Sequence, residues 1–222
     1  MPRIFMFDAY GTLFDVHAAV ARAGASLGAR AEALSALWRA KQLEYSWTMT
    51  LMGRAGEVDF WTLTGRALDF ALARFAIDDP ALRGALLDAY PDVAPALAAL
   101  KAAGHRTAIF TNGTRRMVEA AIAASGIGAM LDHVITVEPT GRFKPDPAVY
   151  AHARAEAGAP PPRKIVFVSS NRWDVAAAAH AGFTPIWVNR SGQPGEYPEL
   201  EPAAVMRDLS SLGKLHEQGG IS

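Results

Sequence analysis

Apolar and polar positions alternate along this chain in two rhythms. Short β-type runs recur at 4–8 (IFMFD), 106–111 (RTAIFT), 133–136 (HVIT), 164–170 (KIVFVSS) and 184–189 (TPIWVN). Each ends in small or polar residues. Between them, Ala-rich stretches at 91–103, 115–125, 146–157 and 173–181 carry a helical pattern. Strand–helix alternation of this kind predicts an α/β fold, a Rossmann-like parallel sheet with helices on both faces. The unbroken apolar run IVFV fits a strand buried on both sides. Ligands of such sheets bind beyond the carboxyl ends of the strands. Asp8, Thr111 and the Ser169-Ser170 pair all fall at such ends, so they are expected to converge on one crevice.

Residues 16–89 break the rhythm. They show helical pattern at 16–28, 31–52, 57–76 and 80–89 and no convincing strand. The organisation this predicts is a helical cap at 15–89, inserted into an α/β core made of 1–14 and 90–222. Gly11 and the Ala89-Tyr90-Pro91 stretch would be its hinges, and the tail from Gly213 is expected to fray.

Composition narrows the classes of function. Lys plus Arg and Asp plus Glu number 22 each among 222 residues, so charge gives no reason to expect nucleic acid or an anionic membrane as partner. Cysteine is absent, which removes disulfides, thiolate nucleophiles and thiolate metal sites. The six histidines show no metal-ligand spacing. The opening MPRIFMFDAY is interrupted by Asp8 too soon for a signal peptide, and no run approaches the roughly 20 apolar residues of a spanning helix. A soluble cytoplasmic protein is the expectation.

Candidate chemistry sits where strands give way to loops. Asp8 ends the first strand before Gly11-Thr12, as a metal ligand, base or nucleophile would, and equally as a turn-forming aspartate would. In FTNGT (110–114), Thr111, Asn112 and nearby amides can bind an anion or simply form a turn and cap. Lys144 precedes Asp146-Pro147, where a helix is expected to begin; the bland alternative is a surface lysine. VFVSSNRWD (166–174) offers Ser169, Ser170 and Asn171, then Asp174 on the first turn of a helix, a pattern that helix capping also explains. GASLG (24–28) mimics a hydrolase elbow but follows a helical segment rather than a strand.

Taken in order, Asp8, Thr111, Lys144 and Asp174 resemble the haloacid dehalogenase superfamily. More narrowly, FDAYGTLFDVH, LWRAKQLEYSW, TNGT, KPDPAVY and SSNRWD resemble the L-2-haloacid dehalogenases over nearly the whole chain. The resemblance explains Tyr10. Phosphatases of the superfamily carry a second aspartate there to protonate a poor leaving group, whereas a departing halide needs no general acid. Where Ser170 stands, similar phosphatases keep an acid that helps hold Mg²⁺; serine is a much weaker ligand for that hard cation. No cofactor is then called for.

The resemblance implies hydrolysis of short L-2-haloalkanoates to D-2-hydroxy acids plus halide. Asp8 would attack C2 to form an ester, inverting that carbon, and water would then attack the Asp8 carbonyl. Asp174, with Asn171 and Ser169, would position that water, while Lys144 balances the two acids and Tyr150 steadies the network. Thr12, Thr111 and backbone amides near Tyr10 would hold the nucleophile, the substrate carboxylate or the oxyanion. Arg39 shares a helix face with Leu43 and Trp47 at four-residue spacing, and by resemblance it meets the substrate carboxylate or the halide, the latter together with Asn112. Tyr10, Leu43, Phe60 and Trp173 would wall the reacting carbon. Thr111 replaces the family's usual serine, and TMTLMGRAGEV (48–58) departs from its usual helix end; both bear on substrate size. Family members are commonly dimers. The rival readings are a Mg²⁺-dependent phosphatase of the same fold and a non-catalytic homologue that binds small acids.

Overall fold

A computed structural model of the chain describes residues 2–16, 27–28, 30–78 and 88–213. The expected helix at 16–28, most of the one at 80–89 and the tail beyond Gly213 lie largely or wholly outside the described residues. In chain order the elements are β1 (Ile4–Phe7), β2 (Phe14–Asp15), α1 (Arg30–Leu51), α2 (Phe60–Phe75), β3 (Asp88–Ala89), α3 (Val93–Ala102), β4 (Arg106–Thr111), α4 (Arg115–Ser125), β5 (His133–Thr136), α5 (Pro147–Glu156), β6 (Ile165–Ser169), α6 (Arg172–His180), β7 (Thr184–Val188) and β8 (Ala204–Met206).

Six strands form one parallel sheet in the order β5-β4-β1-β6-β7-β8. Successive side chains of a strand point to opposite faces, and here both faces are covered. Phe5, Phe7, Ile109, Val166 and Val168 pack with Leu97, Val118 and Leu209 on one side. Ile4, Met6, Phe110, Ile165 and Phe167 pack with Val149, Tyr150 and Phe183 on the other. That double burial is why the strands read as continuous apolar runs. Register then sets the site. Phe7 pairs with Ile109 and with Val168, so Asp8 emerges level with Phe110 and Ser169 at the carboxyl edge.

Two features depart from the expected pattern. β8 adds a sixth strand at the sheet edge, built from only Ala204-Val205-Met206. The stretch read as helical to residue 89 ends in a strand: Phe14 and Asp15 pair antiparallel with Ala89 and Asp88. This short ladder joins the chain leaving the sheet to the chain returning to it. Two-residue strands carry too little periodicity to be seen in sequence.

α1 and α2 lie against one another over Leu34, Leu68, Ala71 and Leu72. Asp59 caps α2 by accepting from the Thr62 amide at 2.7 Å. No helix among the described residues is long and apolar enough to cross a membrane.

Candidate active site

All fourteen residues singled out above meet at the carboxyl edge of β1, β4 and β6. Asp8, Tyr10, Arg39, Leu43, Phe60, Thr111, Asn112, Lys144 and Trp173 line a chamber of about 10 Å³, about the room one water needs. Thr12, Tyr150, Ser169, Asn171 and Asp174 stand behind Asp8 and bond to it or to its neighbours. α1 and α2 contribute Arg39, Leu43 and Phe60; the sheet edge and its loops contribute the rest.

Asp8 is buried and held by three donors. Asn171 Nδ2 donates to Oδ2 at 2.8 Å, Thr12 Oγ1 to the same oxygen at 3.3 Å, and Lys144 Nζ to Oδ1 at 3.3 Å. Thr12 is itself fixed, accepting from the Ser170 amide at 2.8 Å. The turn after Asp8 closes on itself: the amides of Leu13 and Phe14 donate to Ala9 O and that of Gly11 to Phe14 O. Gly11, at φ 85°, takes a backbone conformation that other residues adopt at a cost. The Thr12 amide also turns inward, to Ala9 O at 3.3 Å.

The capping alternatives fail at specific atoms. Thr114, not Thr111 or Asn112, caps α4, accepting from the Met117 amide at 3.3 Å. Thr111 Oγ1 accepts instead from the Gly113 amide at 3.0 Å, and Asn112 Oδ1 from the Lys144 amide at 2.9 Å. Asn171 occupies the cap position of α6 but makes no side-chain cap; its amide group faces Asp8. Asp146 does cap α5, and Pro147 opens that helix.

Lys144 is no surface lysine: it is 1% exposed. Its ammonium donates to Asp174 Oδ2 at 2.9 Å and to Phe110 O at 2.8 Å, and lies 4.1 Å from the Phe110 ring centroid. Asp174 also accepts from Tyr150 OH at 2.5 Å, and Ser169 Oγ lies 3.5 Å away. Burial pushes the Asp174 carboxyl up to about 6, with Asp8 adding to the rise and Lys144 and Tyr150 opposing it. Burial beside Asp174 also holds the Tyr150 phenol well above its ordinary value.

Arg39 Nη1 donates to Gln42 Oε1, and Nη2 reaches Asn171 Oδ1 at 3.4 Å. Burial pulls the guanidinium down from its usual value, while Asp8, Asp174 and Tyr10 pull the other way. Tyr10 OH is buried and finds no partner among the described residues; burial and the Asp8 charge raise its pKa, so it keeps its proton. Trp173 meets Trp47 edge to face at 5.6 Å, which places the third member of the Arg39 stripe in the wall behind the chamber.

Three residues with a part here went unnoticed in the sequence. Gln42 and Thr64 bond behind Arg39. Gly113 lies so close to Tyr10 that a Cβ there would stand 2.7 Å from Cε2. Gln42 alone offered a signal, a polar residue three positions from Arg39 on one helix face.

Comparison with known proteins identifies the family. Residues 2–182 match the family described as haloacid dehalogenase-like hydrolase. The chain is 44% identical over 220 residues to (S)-2-haloacid dehalogenase 4A of Burkholderia cepacia, covering 96% of this chain and 93% of that one. A crystal structure of a dehalogenase with an intermediate complex superposes with a TM-score of 0.92 at 43% identity, covering 96% of each chain. The L-2-haloacid dehalogenase of Xanthobacter autotrophicus with chloropropionic acid covalently bound gives 0.86 at 34% identity, covering 98% of this chain and 99% of that one. The chain belongs to the haloacid dehalogenase-like hydrolases, among the (S)-2-haloacid dehalogenases.

Proposed function

We propose that this protein is an (S)-2-haloacid dehalogenase that converts short L-2-haloalkanoates and water into D-2-hydroxy acids, halide and a proton. The observation that carries this reading is a buried carboxylate, Asp8, held by three fixed donors at a chamber that combines the cation Arg39 with the apolar walls Leu43, Phe60 and Trp173.

In the first step an Asp8 oxygen attacks C2 opposite the carbon–halogen bond. The C–O bond forms, the halide leaves with the bonding electrons, and C2 inverts. Arg39 and Asn112 receive the halide, while Tyr10, Leu43, Phe60 and Trp173 keep water from C2. Donors already in place around Asp8 replace the hydration that an aqueous carboxylate would have to shed. Alignment of this sort is worth roughly 7–11 kcal/mol.

Water then attacks the carbonyl carbon of the Asp8 ester, not C2, so the inversion is kept. Asp174 takes that water's proton and returns it to the 2-oxygen as the tetrahedral adduct collapses, so that the acyl carbon–oxygen bond breaks, the D-2-hydroxy acid leaves, and Asp8 gives the water's other proton to solvent. Each Asp174 oxygen has protein partners, yet a carboxylate has about four acceptor sites, which leaves capacity for the water. Lys144 offsets both acids throughout. Tyr10 stands where a phosphatase needs a proton donor, and expulsion of a halide does without one.

Residues 15–89 act as a cap over a core of 1–14 and 90–222; the β2–β3 ladder beside both crossings and the mutual packing of α1 and α2 support that division. The same reading places the protein in the cytoplasm as a homodimer. Halide release from the two enantiomers of 2-chloropropionate, with and without EDTA, tests the function. The L-enantiomer should react and the chelator should leave the rate unchanged. Release from the D-enantiomer alone, or loss of activity with EDTA, would contradict the reading.

A further inference from the structure

Arg39 is aimed by a chain of hydrogen bonds that runs in one direction. Its Nη1 donates to Gln42 Oε1, Gln42 Nε2 donates to Thr64 Oγ1 at 2.6 Å, and Thr64 Oγ1 donates to Phe60 O at 2.6 Å. The chain fixes the Gln42 amide. Turned over, its NH₂ would face a guanidinium that has donors only. Gln42 is buried on α1 and Thr64 belongs to α2, so the packing of these two helices sets the direction of the guanidinium.

Gln42 itself does not line the chamber around Asp8. With Arg39, Thr64 and Trp38 it lines a neighbouring cleft of about 720 Å³, which shares Arg39 and Tyr10 with the chamber. The hydrogen bond from Arg39 is what connects Gln42 to the chamber. Charge explains why the partner is an amide. Asp8 and Asp174 are offset by Lys144 and Arg39, two acids against two cations. A carboxylate at position 42 would pair with Arg39 and leave the site with an excess negative charge, against an anionic substrate. A neutral acceptor fixes the guanidinium and leaves its charge unspent.

We propose that Gln42 is a positioning residue that aims Arg39 at the substrate anion and the departing halide without neutralising it. This rests on the dehalogenase reading, and the experiment separates the two. Propionate and bromide are titrated calorimetrically into full-length Asp8→Asn protein carrying Gln42→Glu, Gln42→Leu or Thr64→Val. The same substitutions are assayed for kcat and KM in the active chain and again in an Arg39→Lys background.

Gln42→Glu should weaken propionate and bromide binding roughly 10- to 100-fold and raise KM accordingly. Gln42→Leu should lower kcat/KM by about 10- to 100-fold through misalignment, and Thr64→Val should lower it less. With Arg39→Lys in place, Gln42→Leu should cost little more. Unchanged anion affinity in every variant that folds, or an equal loss from Gln42→Leu with and without Arg39, would overturn the positioning role. If the native chain releases no halide while Gln42→Glu still weakens anion binding, the dehalogenase reading fails and the positioning role stands.

Discussion

Two carboxylates and one ammonium share a buried space at the heart of the site. Lys144 Nζ lies 3.3 Å from Asp8 and 2.9 Å from Asp174, and Asp174 is fully buried. Burial lifts the Asp174 carboxyl from 3.8 to about 6, and this has two consequences of opposite sign. Water activation needs the ionised form, and esterification removes the Asp8 charge that adds to the rise, so turnover should fall with the ester accumulating at a pH below about 6; a pH series of kcat with rapid quench checks it. Folding favours the protonated form. Between pH 3.8 and about 6 the folded chain holds more protons than the unfolded one, so stability should decline as pH rises across that window and level off above it. Asp174→Asn should flatten that slope in denaturant titrations. In a rapid-quench assay the same variant should release about one equivalent of halide and stop.

At the scale of elements, the sequence made the sheet and the motif positions legible because both follow from local pattern. IVFV reads as a strand buried on both faces, and the observed strand does pack on both. Asp8, Thr111 and Ser169 follow such strands, so their convergence could be anticipated. Asn171 could not be assigned by spacing, since a helix cap and an Asp8 donor have the same sequence signature; only the direction of its side chain separates them. β2, β3 and β8 are too short to show a period. Gly113 escaped notice because its role lies in tertiary contact. A Cβ there would come 2.7 Å from Tyr10 Cε2 and 3.3 Å from Thr111 Oγ1, so the ring would have to shift. Gly113→Ala should keep the fold, as read by circular dichroism, and lower kcat/KM roughly 10- to 100-fold.

The whole molecule brings a sheet covered on both faces and a helical pair around one small chamber, and its surface carries a second expectation. Leu51, Met52, Trp61 and Phe70 are large apolar residues exposed on or beside α1 and α2, with Leu51 at 88%. Large exposed apolar side chains suit an association surface, and the proposed homodimer would bury those on the face it uses. Analytical ultracentrifugation should give about twice 23.7 kDa, and Leu51→Glu with Trp61→Glu should shift it to the monomer; a monomeric native chain would contradict the dimer. The reaction itself is tested most directly by a single turnover in ¹⁸O-water with enzyme in excess over L-2-chloropropionate. Attack by Asp8 on C2 predicts that the first hydroxyl oxygen comes from the enzyme, leaving the lactate unlabelled and Asp8 carrying ¹⁸O. Lactate labelled in that first turnover, with Asp8 unlabelled, would mean that water attacks C2 directly and that no ester forms.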